Sequence, residues 1–198
     1  NIKVDFKINM KSHHNRLDQI ISDCMLQFPD GDFNSVLVQG DTGSAFGCAL
    51  AAYNRKLKIY YLEAGLRSYN LDHPYPEEAY RQMIARISDV TLCPTKLSKE
   101  NLVNEHTNGI CHVIGNTVLD NLLNYKDKCE YTNKILVTMH RRENLHWMNH
   151  WFIEINKLAS ENPDLEFILP IHPNPNVQKH KHLLSNVTVI NPLSHPEL

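Results

Sequence analysis

No stretch of this sequence is apolar for long enough to span a bilayer. Its opening residues, NIKVDFKINM, have neither the apolar core of a signal peptide nor an initiator Met. A membrane-embedded or secreted protein is therefore not expected, and the chain reads as cytoplasmic and cut at its front. No basic stripe with interleaved aromatics occurs, and a formal net charge of −2 offers nucleic acid no electrostatic foothold. Neither G-x-G-x-x-G nor G-x-x-x-x-G-K-[ST] is present, which leaves the usual dinucleotide and nucleoside-triphosphate loops unsupported. C-x-x-C and H-E-x-x-H are missing as well, so the 12 histidines, His13-His14 and His180-x-His182 among them, read as solvated rather than metal-binding. The five cysteines are odd in number and widely spaced, as free thiols in a reducing compartment would be. Asn186-Val187-Thr188 matches a glycosylation sequon, which is idle without secretion.

What is present is an alternation of strand and helix around the stretch from Val36 to Ser68. Val36 to Gln39 is a short apolar run broken by Gly40. Ser44 to Arg55 keeps Ala45, Ala49 and Ala52 on one helical face, and Ile59 to Leu62 returns as strand. In such a βαβ unit the two strands are parallel, because the crossover helix returns the chain in the same direction. Asp41 and Glu63 then lie just past the carboxyl ends of neighbouring strands, on the rim where open α/β sheets bind ligands.

The rest of the chain extends the pattern. Residues 1–9 alternate as an extended segment, and Ser12 is placed to cap a helix bearing Leu17, Ile20, Ile21, Cys24 and Met25. Beyond Glu63 the spacing predicts a long polar loop, then helices from Glu77 to Ile87, Leu97 to Glu105 and Thr117 to Leu123, with strands Val90 to Leu92 and His112 to Ile114 between them. A polar, aperiodic stretch marks a linker over 125–133 between a domain spanning 1–124 and a second over 134–198. The second is predicted to contain strands Ile135 to Thr138, Phe167 to Pro170 and Val187 to Ile190. Its helices are expected over Trp147 to Ser160 and near Val177 to Leu184, and Ser194 could cap another. The expected fold class is α/β: two Rossmann-like domains with parallel sheets flanked by helices, both reading as truncated.

Two constellations could carry chemistry. The first is acidic: Asp41, Glu63, and Glu77 with Glu78. Asp41 is equally well explained as a helix N-cap, and acids in a first helical turn favour the helix dipole in any protein. Glu63 leads into a loop, so capping does not account for it. The second is cationic: His140-Arg141-Arg142-Glu143 after one strand of the second domain and His172 after another. Arg offers a bidentate fork for phosphate, and His a donor that changes charge near neutral pH. Asp41-Thr42-Gly43-Ser44 also spells the D-T-G-S of aspartic proteases. That chemistry needs a second such Asp on a β-rich scaffold, and here the tetrapeptide runs into an alanine-rich helix.

Taken in order, VLVQGDT, YLEAGLRS, HPYPEEAYR, IGNTVLDNLL, ILVTMHRREN and LPIHPNPNV resemble the non-hydrolysing UDP-N-acetylglucosamine 2-epimerases, proteins of the GT-B fold. The likeness covers essentially the whole chain. It implies interconversion of UDP-GlcNAc and UDP-ManNAc by elimination of UDP and re-addition, without a cofactor. It also implies that Asp41, Glu63 and Glu77 are the catalytic carboxylates, and that His140, Arg141, His172 and Arg67 bind substrate. UDP-GlcNAc is the implied partner. A second, regulatory UDP-GlcNAc is found in some bacterial members, and a homodimer is among the assemblies the resemblance allows. The hydrolysing relatives lack the E-A-G-L-R and P-E-E-x-x-R pattern. The family's opening G-T-R-P-E loop and its later S-G-G-x-x-E-E segment are missing here, and Met139 replaces the common Gly of T-G-H-R-R-E. The chain thus reads as the central portion of such an enzyme, holding the acids and part of the UDP site. The alternative is a nucleotide-sugar-binding GT-B protein, a glycosyltransferase or an inactive remnant, without epimerase activity.

Overall fold

The computed structural model describes residues 7–8, 16–123, 130–139 and 142–194. The chain divides into two compact units, Asn1–Tyr125 and Lys126–Leu198. The strand expected over 1–9, apart from Lys7 and Ile8, and the Ser12 cap lie outside the described residues.

In the first unit four strands, β1 (Ser35–Gln39), β2 (Lys58–Leu62), β3 (Val90–Cys93) and β4 (Ile110–Val113), form a sheet in the order 1-2-3-4. All its pairings are parallel. Five helices accompany them: α1 (Leu17–Leu26), α2 (Gly43–Asn54), α3 (Glu77–Ile87), α4 (Lys96–Asn104) and α5 (Thr117–Leu123). The last strand is paired two residues earlier than the expected start at His112, because Asp89 O takes the Ile110 N–H and opens the ladder there.

Small residues let α2 lie close to its neighbours. Ala45, Ala49, Ala51 and Ala52 are buried with Val38, Ile59, Tyr61, Ile84 and Leu102 in one apolar core. Where α2 meets α1, a Cβ at Gly47 would stand 2.8 Å from Cys24 Cβ and 3.1 Å from Ile21 Cα, so any side chain there would push the helices apart.

In the second unit β5 (Lys134–Leu136), β6 (Glu166–Pro170) and β7 (Thr188–Ile190) form a parallel sheet in the order 5-6-7. Helix α6 (Met148–Glu161) buries Met148, Phe152 and Ala159 against Phe167, Leu169, Val177 and Val187. The helix expected near Val177 to Leu184 is corrected. There is a single turn, α7 (Pro175–Gln178), followed by a 3₁₀ turn over Lys181–Leu183. His182 Nδ1 bonds the Lys179 carbonyl at 2.9 Å, and side-chain competition of this kind breaks a regular i→i−4 ladder. Among the described residues no helix is long and apolar enough to cross a membrane.

Candidate functional site

The carboxyl rim of the first sheet is built by two tight turns. After β1 the chain reverses at Gly40, whose φ of +72° suits glycine and whose N–H donates to Leu62 O at 3.2 Å. Asp41 follows, then Thr42, which caps α2 by accepting the Ala45 N–H on its Oγ1 at 3.2 Å. Such a cap is worth about 1 kcal/mol. The N-cap explanation of Asp41 is thereby overturned, since the hydroxyl one residue later has that role. Asp41 instead meets Arg81 of α3: Nε and Nη2 both reach Oδ2, at 2.7 and 2.6 Å.

Arg81 is brought there by packing. Tyr80, beside it, stacks on Phe46 of α2 with ring centroids 4.9 Å apart and planes 11° from parallel. A stacked pair of this kind adds about 0.5–1.5 kcal/mol to the helix contact.

After β2, Glu63 takes a φ of +64°, a left-handed conformation uncommon for a residue with a side chain. Its Oε2 lies 3.4 Å from where a Gly40 Cβ would be. Among the described residues neither the Glu63 side chain nor that of Glu77, the first residue of α3, has a hydrogen-bond or ion-pair partner. Beneath the rim is fully buried Tyr61. Burial pushes its hydroxyl pKa up, and the charges of Arg67, Asp41, Arg81 and Glu63 all act on it. The two acids oppose ionisation of that phenol and the two arginines favour it.

The loop between Glu63 and Glu77 is tied down at both ends. Glu78 is fully buried. Its carboxylate accepts the Ser68 N–H at 3.0 Å, the Tyr69 N–H at 3.2 Å, Gln82 Nε2 at 3.0 Å and Arg81 Nη1 at 3.4 Å. Burial opposes the charge, but the Gln82, Ser68 and Tyr69 donors and the Arg67 charge outweigh it and hold the carboxyl below its ordinary range. Arg67 itself has a fully buried side chain. Nε and Nη2 grip the two Glu105 oxygens at 2.7 and 2.8 Å, and Nη1 donates to Leu66 O at 2.8 Å. Asn101 of α4 donates to Gly65 O at 2.9 Å, a further tie. The structure therefore gives Arg67 a bracing occupation.

In the second unit, His172 follows β6 and is exposed; its Nδ1 accepts the Asn174 N–H at 3.1 Å. His140 and Arg141 lie outside the described residues.

A hollow of about 490 Å³ lies at the opposite, amino end of the first sheet, lined by Asn54, Lys56, Lys58 and Asp89 among others. Ligands of open parallel sheets bind beyond the carboxyl ends. The acid rim, not this hollow, is the candidate site. Among the described residues no group of His, Cys, Asp and Glu is placed to hold a metal ion.

The family model for UDP-N-acetylglucosamine 2-epimerase matches residues 1–198. The chain belongs to that family. It is 39% identical to the UDP-N-acetylglucosamine 2-epimerase of Campylobacter jejuni over 99% of its own length and 59% of the relative's. With the enzyme of that name from Neisseria meningitidis it shares 36% identity, over 94% of this chain and 56% of the relative. The chain thus spans somewhat over half the length of these relatives. Among solved structures, UDP-GlcNAc 2-epimerase from Neisseria meningitidis bound to UDP-GlcNAc superposes with a TM-score of 0.86 at 34% identity. That alignment covers 98% of this chain and 60% of the other. The Methanocaldococcus jannaschii enzyme in complex with UDP-GlcNAc and UDP gives 0.77 at 25% identity, over 99% of this chain and 60% of that one. The fold class is accordingly α/β of the GT-B type, with Rossmann-like parallel sheets flanked by helices.

Proposed function

We propose that the protein to which this chain belongs epimerises UDP-GlcNAc at C2, interconverting it with UDP-ManNAc. The observation that carries the reading is the placing of Asp41 and Glu63 on one sheet rim, with Arg81 joining Asp41 to the helix that Glu77 opens.

The C2 proton of the sugar is not adjacent to a carbonyl, so direct deprotonation is difficult. Breaking the anomeric C–O bond, with its electron pair leaving on the UDP phosphate, creates an oxocarbenium-like carbon that acidifies the neighbouring C2–H. A carboxylate takes that proton and the C1–C2 double bond forms, giving a glycal. Re-addition of UDP to C1, with protonation of C2 from the other face, completes the inversion. Two faces call for more than one proton-handling group, and a rim of acids supplies them. We assign Asp41, Glu63 and Glu77 to charge stabilisation and proton transfer, each worth about 10²–10⁴-fold in rate. The cationic residues His140, Arg141 and His172 are assigned to the nucleotide diphosphate, whose charge rises as the bond breaks. Arg67 is assigned to substrate binding through the loop it braces.

The relatives bound to UDP-GlcNAc support the choice of substrate. Free Cys24, Cys48, Cys93 and Cys111 support a reducing, cytoplasmic setting. A regulatory second UDP-GlcNAc and a homodimer belong to the same proposal, the first read by cooperative substrate kinetics and the second by sedimentation.

The test uses the whole protein with UDP-GlcNAc in D₂O. Deuterium at C2 and formation of UDP-ManNAc are expected. Absence of C2 exchange would overturn the reading.

A further inference from the structure

Arg81 stands between two carboxylates in different settings. Asp41 is in neither helix nor strand: it lies between Gly40 and the capping Thr42, and its side chain meets Arg81. Glu78, on the other side, is held in the core by three donors besides Arg81, the Ser68 and Tyr69 N–H groups and Gln82 Nε2. A guanidinium braced from behind by a fixed carboxylate transmits that fixity forward, since its planar donor set tolerates little rotation. Arg81 Nε donates to Oδ2, and the Nη2 ion-pair contact falls on the same oxygen. Among the described residues Oδ1 accepts no hydrogen bond, and the Glu63 and Glu77 carboxylates have no hydrogen-bond or ion-pair partner.

We propose that Arg81 is the positioning residue for Asp41. It locks the carboxylate by Oδ2 and leaves Oδ1 uncommitted for the reacting sugar, while unpartnered Glu63 and Glu77 exchange the C2 proton. The same side chain registers the three acids with one another, because it bonds Asp41, is carried one turn after Glu77 on α3, and touches the carboxylate that anchors the loop leaving Glu63. The inference rests on the epimerase reading and adds a division of labour to it.

A double-mutant cycle in the whole protein tests this, with kcat, KM and C2 deuterium incorporation measured alongside thermal unfolding. Arg81→Gln should lower kcat about 10²-fold, the cost of a misplaced catalytic group, with KM moved less than about threefold. Arg81→Lys keeps the charge without the planar donor set, and a fall of about tenfold is expected. In an Asp41→Asn background, either Arg81 substitution should change kcat by less than about threefold, because Arg81 acts through Asp41. Equal effects in both backgrounds, or an effect confined to thermal stability, would overturn the inference. If Arg81→Gln does not fold, the Arg81→Lys pair of measurements decides alone. An unsubstituted protein that incorporates no deuterium removes the epimerase reading and this inference with it. An unsubstituted protein that does incorporate deuterium, with Asp41→Asn leaving kcat unchanged, removes only the inference.

Discussion

The Glu63 carboxylate closes on the one position of the first acid turn that has no side chain: a Cβ on Gly40 would stand 3.4 Å from Glu63 Oε2. Both residues have positive φ, +72° and +64°. Two left-handed residues at adjacent strand ends set the Glu63 carboxylate against the turn that carries Asp41.

Gly40→Ala puts a side chain into a left-handed residue and against that carboxylate. The conformational cost is about 1–2 kcal/mol. The midpoint of urea unfolding should fall accordingly with an unchanged slope, and C2 exchange should fall further than the stability loss accounts for. An unshifted midpoint would show that the turn relaxes freely.

Gly47→Ala pits two effects against each other. Alanine is favoured over glycine inside a helix by about 1 kcal/mol. The new methyl, however, would lie 2.8 Å from Cys24 Cβ and 3.1 Å from the Ile21 backbone, and overpacking of this kind costs about 1–3 kcal/mol. Since the obstacle includes backbone, the steric cost should win and the variant should be the less stable; a gain in melting temperature would contradict the close α1–α2 crossing.

Glu78 makes a prediction about pH. Its folded pKa lies below the ordinary value of 4.5. The unfolded chain therefore binds this proton more tightly than the folded one. The contribution is complete above about pH 4.5 and drains away as pH falls through the lower folded value. Glu78→Gln removes the titration and leaves donors imperfectly matched, at a cost of about 1–3 kcal/mol near pH 7. Thermal unfolding of the two proteins from pH 7 to 3 should show the gap narrowing toward acid. A gap that widened in acid would refute the assignment.

The Arg67–Glu105 pair should respond asymmetrically. Arg67 has a fully buried side chain, whereas that of Glu105 is 22% exposed. Glu105→Ala strands a buried cation and should cost about 3–5 kcal/mol. Arg67→Met keeps much of the volume and leaves a carboxylate that water can reach, so its cost should be clearly smaller. Chemical denaturation of both variants reads the difference.

Much of the first unit was legible because each element has a local cause. The apolar run Val36 to Gln39, the break at Gly40 and the alanine face of α2 are short-range signals, and α3 spans Glu77–Ile87 as its start after Pro76 implies. The partners of the acids were not legible. Asp41 and Arg81 are 40 residues apart, and only folding brings them together. The i,i+3 spacing of Glu78 and Arg81 was a visible hint that the pair shares a helix face. Arg67 was expected, from the resemblance, to bind substrate, and nothing local announces that Glu105, 38 residues on, takes its guanidinium. In the second unit, the helix expected near Val177 to Leu184 gives way to a turn over Pro175–Gln178 and a 3₁₀ turn over Lys181–Leu183, where His182 takes the Lys179 carbonyl.

The strand order 1-2-3-4 has a consequence for how the rim comes into being. Each strand docks beside the one made just before it, so the sheet can grow by addition at a single edge as the chain leaves the ribosome. Asp41, Glu63, Glu77, Glu78 and Arg81 all fall between the first residue of β1 and the last of α3, an interval from 35 to 87. The widest of these contacts, Asp41 to Arg81, closes a span of 40 residues, and the entropy of closing such a loop grows only slowly with its length. The acid frame is thus encoded as one contiguous cassette, and every residue in it is synthesised before the second unit begins.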